Sequence, residues 1–164
     1  MQLSIKQNKS VLKDLFSFIS LWREFYFTSN LIILLAVQKN KYNVVISMKI
    51  EEKIKKTALN YVEGWYSADS KRMEKALHSK LVKRRFVSPQ EIWDVNTPWM
   101  IEATEEGRGK IDDINQGKKE VTILDYYNNI ASVKIISDKF VDYLHMVFIQ
   151  GEWKIVDVLW DFVK

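Results

Sequence analysis

At 164 residues the chain has the length of one domain, and its apolar fraction of 47% and charged fraction of 28% are those of a globular protein. It has no cysteine, which excludes disulfides, thiolate chemistry and cysteine-ligated zinc or iron–sulfur centres; with only His78 and His145, a three-histidine zinc site within one chain is excluded too. The net charge of +4 lies wholly in residues 1–47, where Lys6, Lys9, Lys13, Arg23, Lys39 and Lys41 stand against Asp14 and Glu24. The remaining nineteen basic and nineteen acidic residues cancel, which argues against a nucleic-acid surface.

Residues 1–47 differ in pattern from the rest. Aromatic and aliphatic residues crowd Leu12 to Val37 without clean helical or alternating order. The uncharged stretch Phe25 to Val37 is shorter than the roughly 20 residues of a membrane span, so membrane insertion is not expected. Three readings fit this segment: translation read-through upstream of a true start at Met48, an extra docking or membrane-surface segment, or a signal with Lys6, Lys9 and Lys13 as its basic end. Against the signal, Arg23 and Glu24 interrupt the apolar part. The expected organisation is an extension over 1–47 and a domain over 48–164. A cytoplasmic location fits the lack of cysteine, with export as the alternative if 1–47 acts as a signal.

From Met48 the pattern is regular. Ile50, Ile54, Ala58, Tyr61, Val62 and Trp65 recur at helical spacing, predicting a helix from about Lys49 to Tyr66. Ser67-Ala68-Asp69 breaks it, and Asp69 is the N-cap of a second helix carrying Met73, Ala76 and Leu77, with His78 near its C-terminal end. Lys80 to Arg85 reads as a solvated basic face. Ser88-Pro89-Gln90-Glu91 has the form of a capping box with a proline start, opening a short helix or turn over Ile92 and Trp93. Thr97-Pro98 starts a further helix, which Gly107 and Gly109 end.

From Glu120 the period changes to that of strands. Glu120–Tyr127, Ile130–Ser137, Phe140–Gln150 and Trp153–Val163 are joined by Asn128-Asn129, Asp138-Lys139 and Gly151-Glu152. Links this short predict an antiparallel meander. Both faces of the sheet carry apolar residues: Ala131, Val133 and Ile135 oppose Ile130 and Ile136, and Val147 and Ile149 oppose Met146 and Phe148. One face packs on the helices. The other predicts a homodimer through the outer sheet face, or a cover formed by the N-terminal segment.

Helical pieces followed by a long antiparallel sheet resemble the nuclear-transport-factor-2-like superfamily. The likeness sharpens at Tyr61-Val62-Glu63-Gly64-Trp65-Tyr66 with Asp69, Lys75-Ala76-Leu77-His78, Leu81-Val82-Lys83-Arg84, Ala131-Ser132-Val133-Lys134, Val141-Asp142-Tyr143-Leu144 and Gly151-Glu152-Trp153-Lys154-Ile155 continuing to Trp160. Together these resemble its putative lumazine-binding branch, a group of small bacterial proteins, over Lys49 to Val163. The resemblance implies an α+β, cone-shaped fold with N-terminal helices packed in a curved antiparallel sheet, an apolar pocket at the wide end and a dimer. It implies no single activity, since relatives include isomerases, cyclases, dehydratases and carriers without chemistry.

A pocket in such a fold takes a small hydrophobic or aromatic ligand, and Trp65, Tyr66, Trp99, Met100, Tyr143 and Trp160 are its candidate lining. No cofactor or metal is called for. His78 and Asp142 are the candidate general bases: imidazole titrates near neutral pH, and a carboxylate inside an apolar strand suits proton abstraction if it faces a pocket. Each has a plainer role, His78 as a satisfied helix-end residue and Asp142 as a salt-bridge partner or a sheet-edge residue. Alternation puts Tyr143 and His145 on the face opposite Asp142, so Asp142 and His145 form no dyad in a regular strand. Lys83 and Arg84 could hold an anionic ligand group at the pocket mouth or form a solvated pair. Gly107-Arg108-Gly109 lacks the strand–turn–helix setting of a phosphate loop.

Overall fold

The computed structural model describes the backbone of residues 2–164 and the side chains of Ser17 and residues 34–164. The chain divides into two units, Met1–Met48 and Lys49–Lys164. Helix α1 (Gln2–Ser67) supplies the described backbone of the first unit and ends in the second. The helix thus starts far ahead of Lys49, although the apolar order there is poor. No glycine or proline occurs before Gly64, so nothing in that stretch breaks a helix. In the first unit Leu34, Leu35, Val37 and Tyr42 are more than half exposed. Among the described residues no helix is long and apolar enough to cross a membrane.

In the second unit α1 buries Ile54, Ala58, Tyr61, Val62 and Tyr66, the stripe that the spacing predicts. It ends in a Schellman motif: Ala68 takes φ 57°, and the Asp69 N–H donates to the Gly64 carbonyl at 3.0 Å. Asp69 then caps helix α2 (Ser70–Ala76), accepting from the Arg72 N–H at 2.9 Å. Gly64 permits the tight corner, since a Cβ there would lie 3.0 Å from the Met73 backbone nitrogen.

Six strands follow or flank helix α3 (Thr97–Glu105): β1 (Leu77–Ser88), β2 (Glu91–Asn96), β3 (Lys119–Tyr127), β4 (Ile130–Ser137), β5 (Phe140–Ile149) and β6 (Glu152–Phe162). Their order in one sheet is β2-β1-β6-β5-β4-β3. The fold class is α+β, as expected, but the sheet is mixed. The β3–β6 meander is antiparallel throughout, whereas β1 runs parallel to β6. No short link ties those two strands; the whole chain between them serves as the crossover that a parallel pair needs.

Two expectations are corrected here. Helix α2 stops at Ala76, so His78 is the second residue of a strand and not a helix-end histidine. Ser88-Pro89-Gln90-Glu91 opens no helix: it is the turn of the β1–β2 hairpin, with Ser88 opposite Glu91 and the Ser88 hydroxyl accepting from the Gln90 N–H. The local capping pattern lost to pairing: Val82 to Arg84 have ladder partners on both sides, β2 and β6, and the β2 ladder continues to Ser88 opposite Glu91.

The turns of the meander follow local chemistry. Asn128 (φ 50°) turns β3 into β4, and Gln150 (φ 52°) with Gly151 (φ 84°) turns β5 into β6. Strand alternation then sends Val133, Ile135, Leu144, Met146, Ile155 and Val158 into the core, each at most 1% exposed. Fully burying each such side chain contributes about 1.5–3 kcal/mol. Register shifts at Ile123/Asp125 and His145/Met146 are the irregularities that bend such strands.

Candidate functional site

A cavity of about 90 Å³ opens between the end of α1 and the inner face of the sheet. Helix α1 contributes Tyr61, Val62 and Trp65, and α3 contributes Trp99 and Met100. The strands add Lys83, Trp93, Ser137, Phe140, Asp142 and Trp160. Its wall is overwhelmingly apolar, with one polar cluster set into it.

That cluster joins three chain segments. The Lys83 ammonium lies 2.6 Å from Asp142 Oδ1 and donates to the Tyr61 hydroxyl at 2.5 Å; Tyr61 in turn donates to the same Oδ1 at 3.2 Å. Lys83 and Asp142 are both buried, at 7% and 3% exposure, so each charge depends on the other for solvation. The ammonium also stands 4.9 Å from the Trp160 ring, 5.3 Å from Tyr61 and 5.7 Å from Phe140, an aromatic cage filled by the protein's own cation. Burial pushes the Tyr61 phenol well above its ordinary pKa of 10.0, and the neighbouring Asp142 charge and hydrogen bond push the same way. Tyr61 is therefore a fixed neutral donor.

Two polar atoms of the wall are left over. Trp160 Nε1 is buried without a hydrogen-bond partner. Asp142 Oδ2 takes no hydrogen bond among the described residues, because both donors use Oδ1. A buried unpaired donor costs about 1–3 kcal/mol. The aromatic wall is held edge to face: Trp93 meets Trp99 at 83° and Trp160 at 77°, and Phe140 meets Trp160 at 89°. Trp65 lies against Gly109, where a Cβ would fall 1.9 Å from its indole nitrogen. The glycine read as a helix stop therefore also makes room for a cavity wall.

The predicted site residues separate into two sets. Trp65, Trp99, Met100, Trp160 and Asp142 line the cavity. Tyr66, Tyr143 and His78 do not. The Tyr66 hydroxyl donates to the Lys118 carbonyl at 2.7 Å and accepts from the Asp138 N–H at 2.8 Å, tying down the approach to β3; one residue beyond Trp65, it points off the cavity. Tyr143 alternates with Asp142 and Leu144 and is 43% exposed, in a groove with Phe86, Leu159 and Phe162. His78 is half-buried, and its Nδ1 accepts from the Lys80 N–H. His145 is exposed, with Nδ1 3.3 Å from Asp157 Oδ2, and Asp157 also pairs with Arg84 at 2.6 Å. Lys83 and Arg84 are thus not a pair at a mouth: the first is buried in the wall, and the second lies beside Leu159's register position. Trp93 and Phe140 escaped the sequence reading. Alternation from Val95 would have pointed Trp93 inward, had residues 91–96 been read as a strand. Among the described residues no cluster of three His, Cys, Asp or Glu side chains could hold a metal ion.

The family described as "Putative lumazine-binding" matches residues 49–161, most of the chain and every residue of the cavity. The chain belongs to that family. Proteins of solved structure share the fold at low identity. An NTF-2 like protein of unknown function from Silicibacter pomeroyi DSS-3 is 15% identical, with 71% of this chain and 98% of that one covered at a TM-score of 0.59. An NTF2-like protein of unknown function from Shewanella baltica OS155 is 17% identical, with 71% and 96% covered at 0.57. A protein with a cystatin-like fold from Nostoc punctiforme PCC 73102 is 9% identical, with 69% and 90% covered at 0.52. These likenesses establish the nuclear-transport-factor-2-like architecture of the putative lumazine-binding domain. No curated protein matches the chain.

Proposed function

We propose that the domain binds a flat, largely apolar small molecule in the cavity between α1 and the sheet. One observation carries this: an aromatic, partly enclosed cavity has one polar cluster in its wall, Lys83–Tyr61–Asp142, in which Asp142 Oδ2 takes no hydrogen bond among the described residues. A ring bearing an N–H would satisfy Oδ2. The family's description points to the same class of heterocycle. At about 90 Å³ the cavity is smaller than the roughly 150 Å³ that houses benzene in an engineered core, so a bicyclic ligand must extend beyond it. Of the 6 tryptophans, Trp65, Trp93, Trp99 and Trp160 line the cavity, so binding should change intrinsic fluorescence. Titration with a panel of flat aromatic and heteroaromatic compounds tests the reading. Absence of any saturable fluorescence change across the panel would count against it.

Base chemistry of the isomerase, dehydratase or cyclase type is the second reading, with Asp142 as the base. Its free Oδ2 in an apolar wall favours it. His78, outside the cavity, has no such support. Asp142→Asn should abolish turnover of any converted panel compound, and, with a donor in place of the acceptor Oδ2, should also weaken compounds that present an N–H to it. The outer sheet face, where Phe86, Ile130, Tyr143 and Leu159 are each more than 40% exposed, supports association of two copies through that face.

A further inference from the structure

Three consecutive basic residues of β1 have different fates. Lys83 is neutralised by Asp142 inside the wall, and Arg84 by Asp157 on the opposite face. Arg85 returns to the face of Lys83 by alternation. Its register partner on β2 is Trp93. Its guanidinium carbon stands 5.3 Å from the Trp160 ring and 4.8 Å from the Phe162 ring. Trp93 and Trp160 both line the cavity, so Arg85, itself outside the lining, adjoins two of its wall residues. The side chain is half-buried, yet it forms no ion pair among the described residues.

A guanidinium lying near aromatic rings uses its faces for packing. Its edge keeps a fork of N–H donors matched to a carboxylate. The Lys83–Asp142 pair adds no net charge, so among the described residues Arg85 is an uncompensated cation next to the cavity wall. We propose that Arg85 is the anion-binding residue of this site, and that its ligand is a planar aromatic acid, with the ring in the cavity and the carboxylate on the Arg85 fork. This rests on the reading of the cavity as a ligand site.

The test uses the full chain and two isosteric probes, 2-naphthoate and 2-naphthamide, titrated by calorimetry. The acid should bind at least about tenfold more tightly than the amide, and added salt should narrow that gap. Arg85→Met keeps apolar packing on Trp160 and removes the charge. It should weaken the acid about 10–100-fold and leave the amide nearly unchanged. Arg85→Lys should recover part of the loss, and Arg84→Met should change neither probe. Equal affinity of acid and amide for the native chain, or equal losses for both in Arg85→Met, would overturn the proposal while leaving the cavity reading standing. Binding of neither probe, at any attainable concentration, would remove the cavity reading and the proposal together.

Discussion

Lys83 and Asp142 are 59 positions apart in sequence and 2.6 Å apart in the fold. Removing one partner strands the other charge in an apolar wall. Asp142→Leu or Lys83→Met alone should cost about 3–5 kcal/mol, whereas the double variant should regain most of it. Urea unfolding of the four proteins measures the coupling, and additive losses would mean the pair is solvated in solution. Tyr61 adds a pH signature. Its pKa is raised in the folded chain, so folded and unfolded forms bind the same proton below about pH 10. Above that the unfolded chain releases the proton first, and stability falls by up to about 1.4 kcal/mol per pH unit. Tyr61→Phe should remove that share of the alkaline loss. Tyr66, shifted the same way, is common to both proteins and cancels in the comparison. Unfolding curves from pH 8 to 11 check this. In the sequence, Asp142 was visible as an odd carboxylate in an apolar strand. Its partner was not, because a lysine in a basic run carries no sign of the strand that will bury it.

At the scale of elements, boundaries set by caps were legible and those set by pairing were not. Asp69 caps α2 as read, accepting from Arg72; α3 starts at the Thr97-Pro98 signal, but its cap is Asn96, one residue earlier, accepting from Trp99. Ala68 holds a left-handed conformation that costs a residue with a Cβ about 1–2 kcal/mol. Ala68→Gly should raise stability by about 0.5–1 kcal/mol, the gain being reduced by the freer unfolded chain. A lowered melting temperature would contradict the Schellman assignment. Gly109 marks the opposite case. Gly109→Ala cannot coexist with the present Trp65 ring, so it should perturb tryptophan fluorescence and any ligand affinity more than it perturbs helix content by circular dichroism. Strands β1 and β2 escaped because Ser88-Pro89 carries a helix-start signal as well as a turn signal. Only the neighbours β6 and β1 decide which is used.

For the whole molecule, the core cluster draws on Ile50 onward and includes no earlier residue among those described. We propose that a chain starting at Met48 folds unaided; it should match the full chain in near-ultraviolet circular dichroism and in melting temperature to within a few degrees. The proposed association of two copies through the outer face makes a separate prediction. Leu159→Glu should convert dimer to monomer in light scattering while the fold persists, since Leu159 is 53% exposed in the single copy. The residues alone determined the α1 stripe, the α3 start, the four-strand meander and the absence of thiolate chemistry, because each depends on local periodicity, capping or composition. Tertiary structure decided the parallel β1–β6 pairing, the burial of Lys83 against Asp142, and the division of aromatic residues between cavity and surface. Those outcomes depend on which distant strand lies alongside, and a one-residue change of face reverses every side chain's environment.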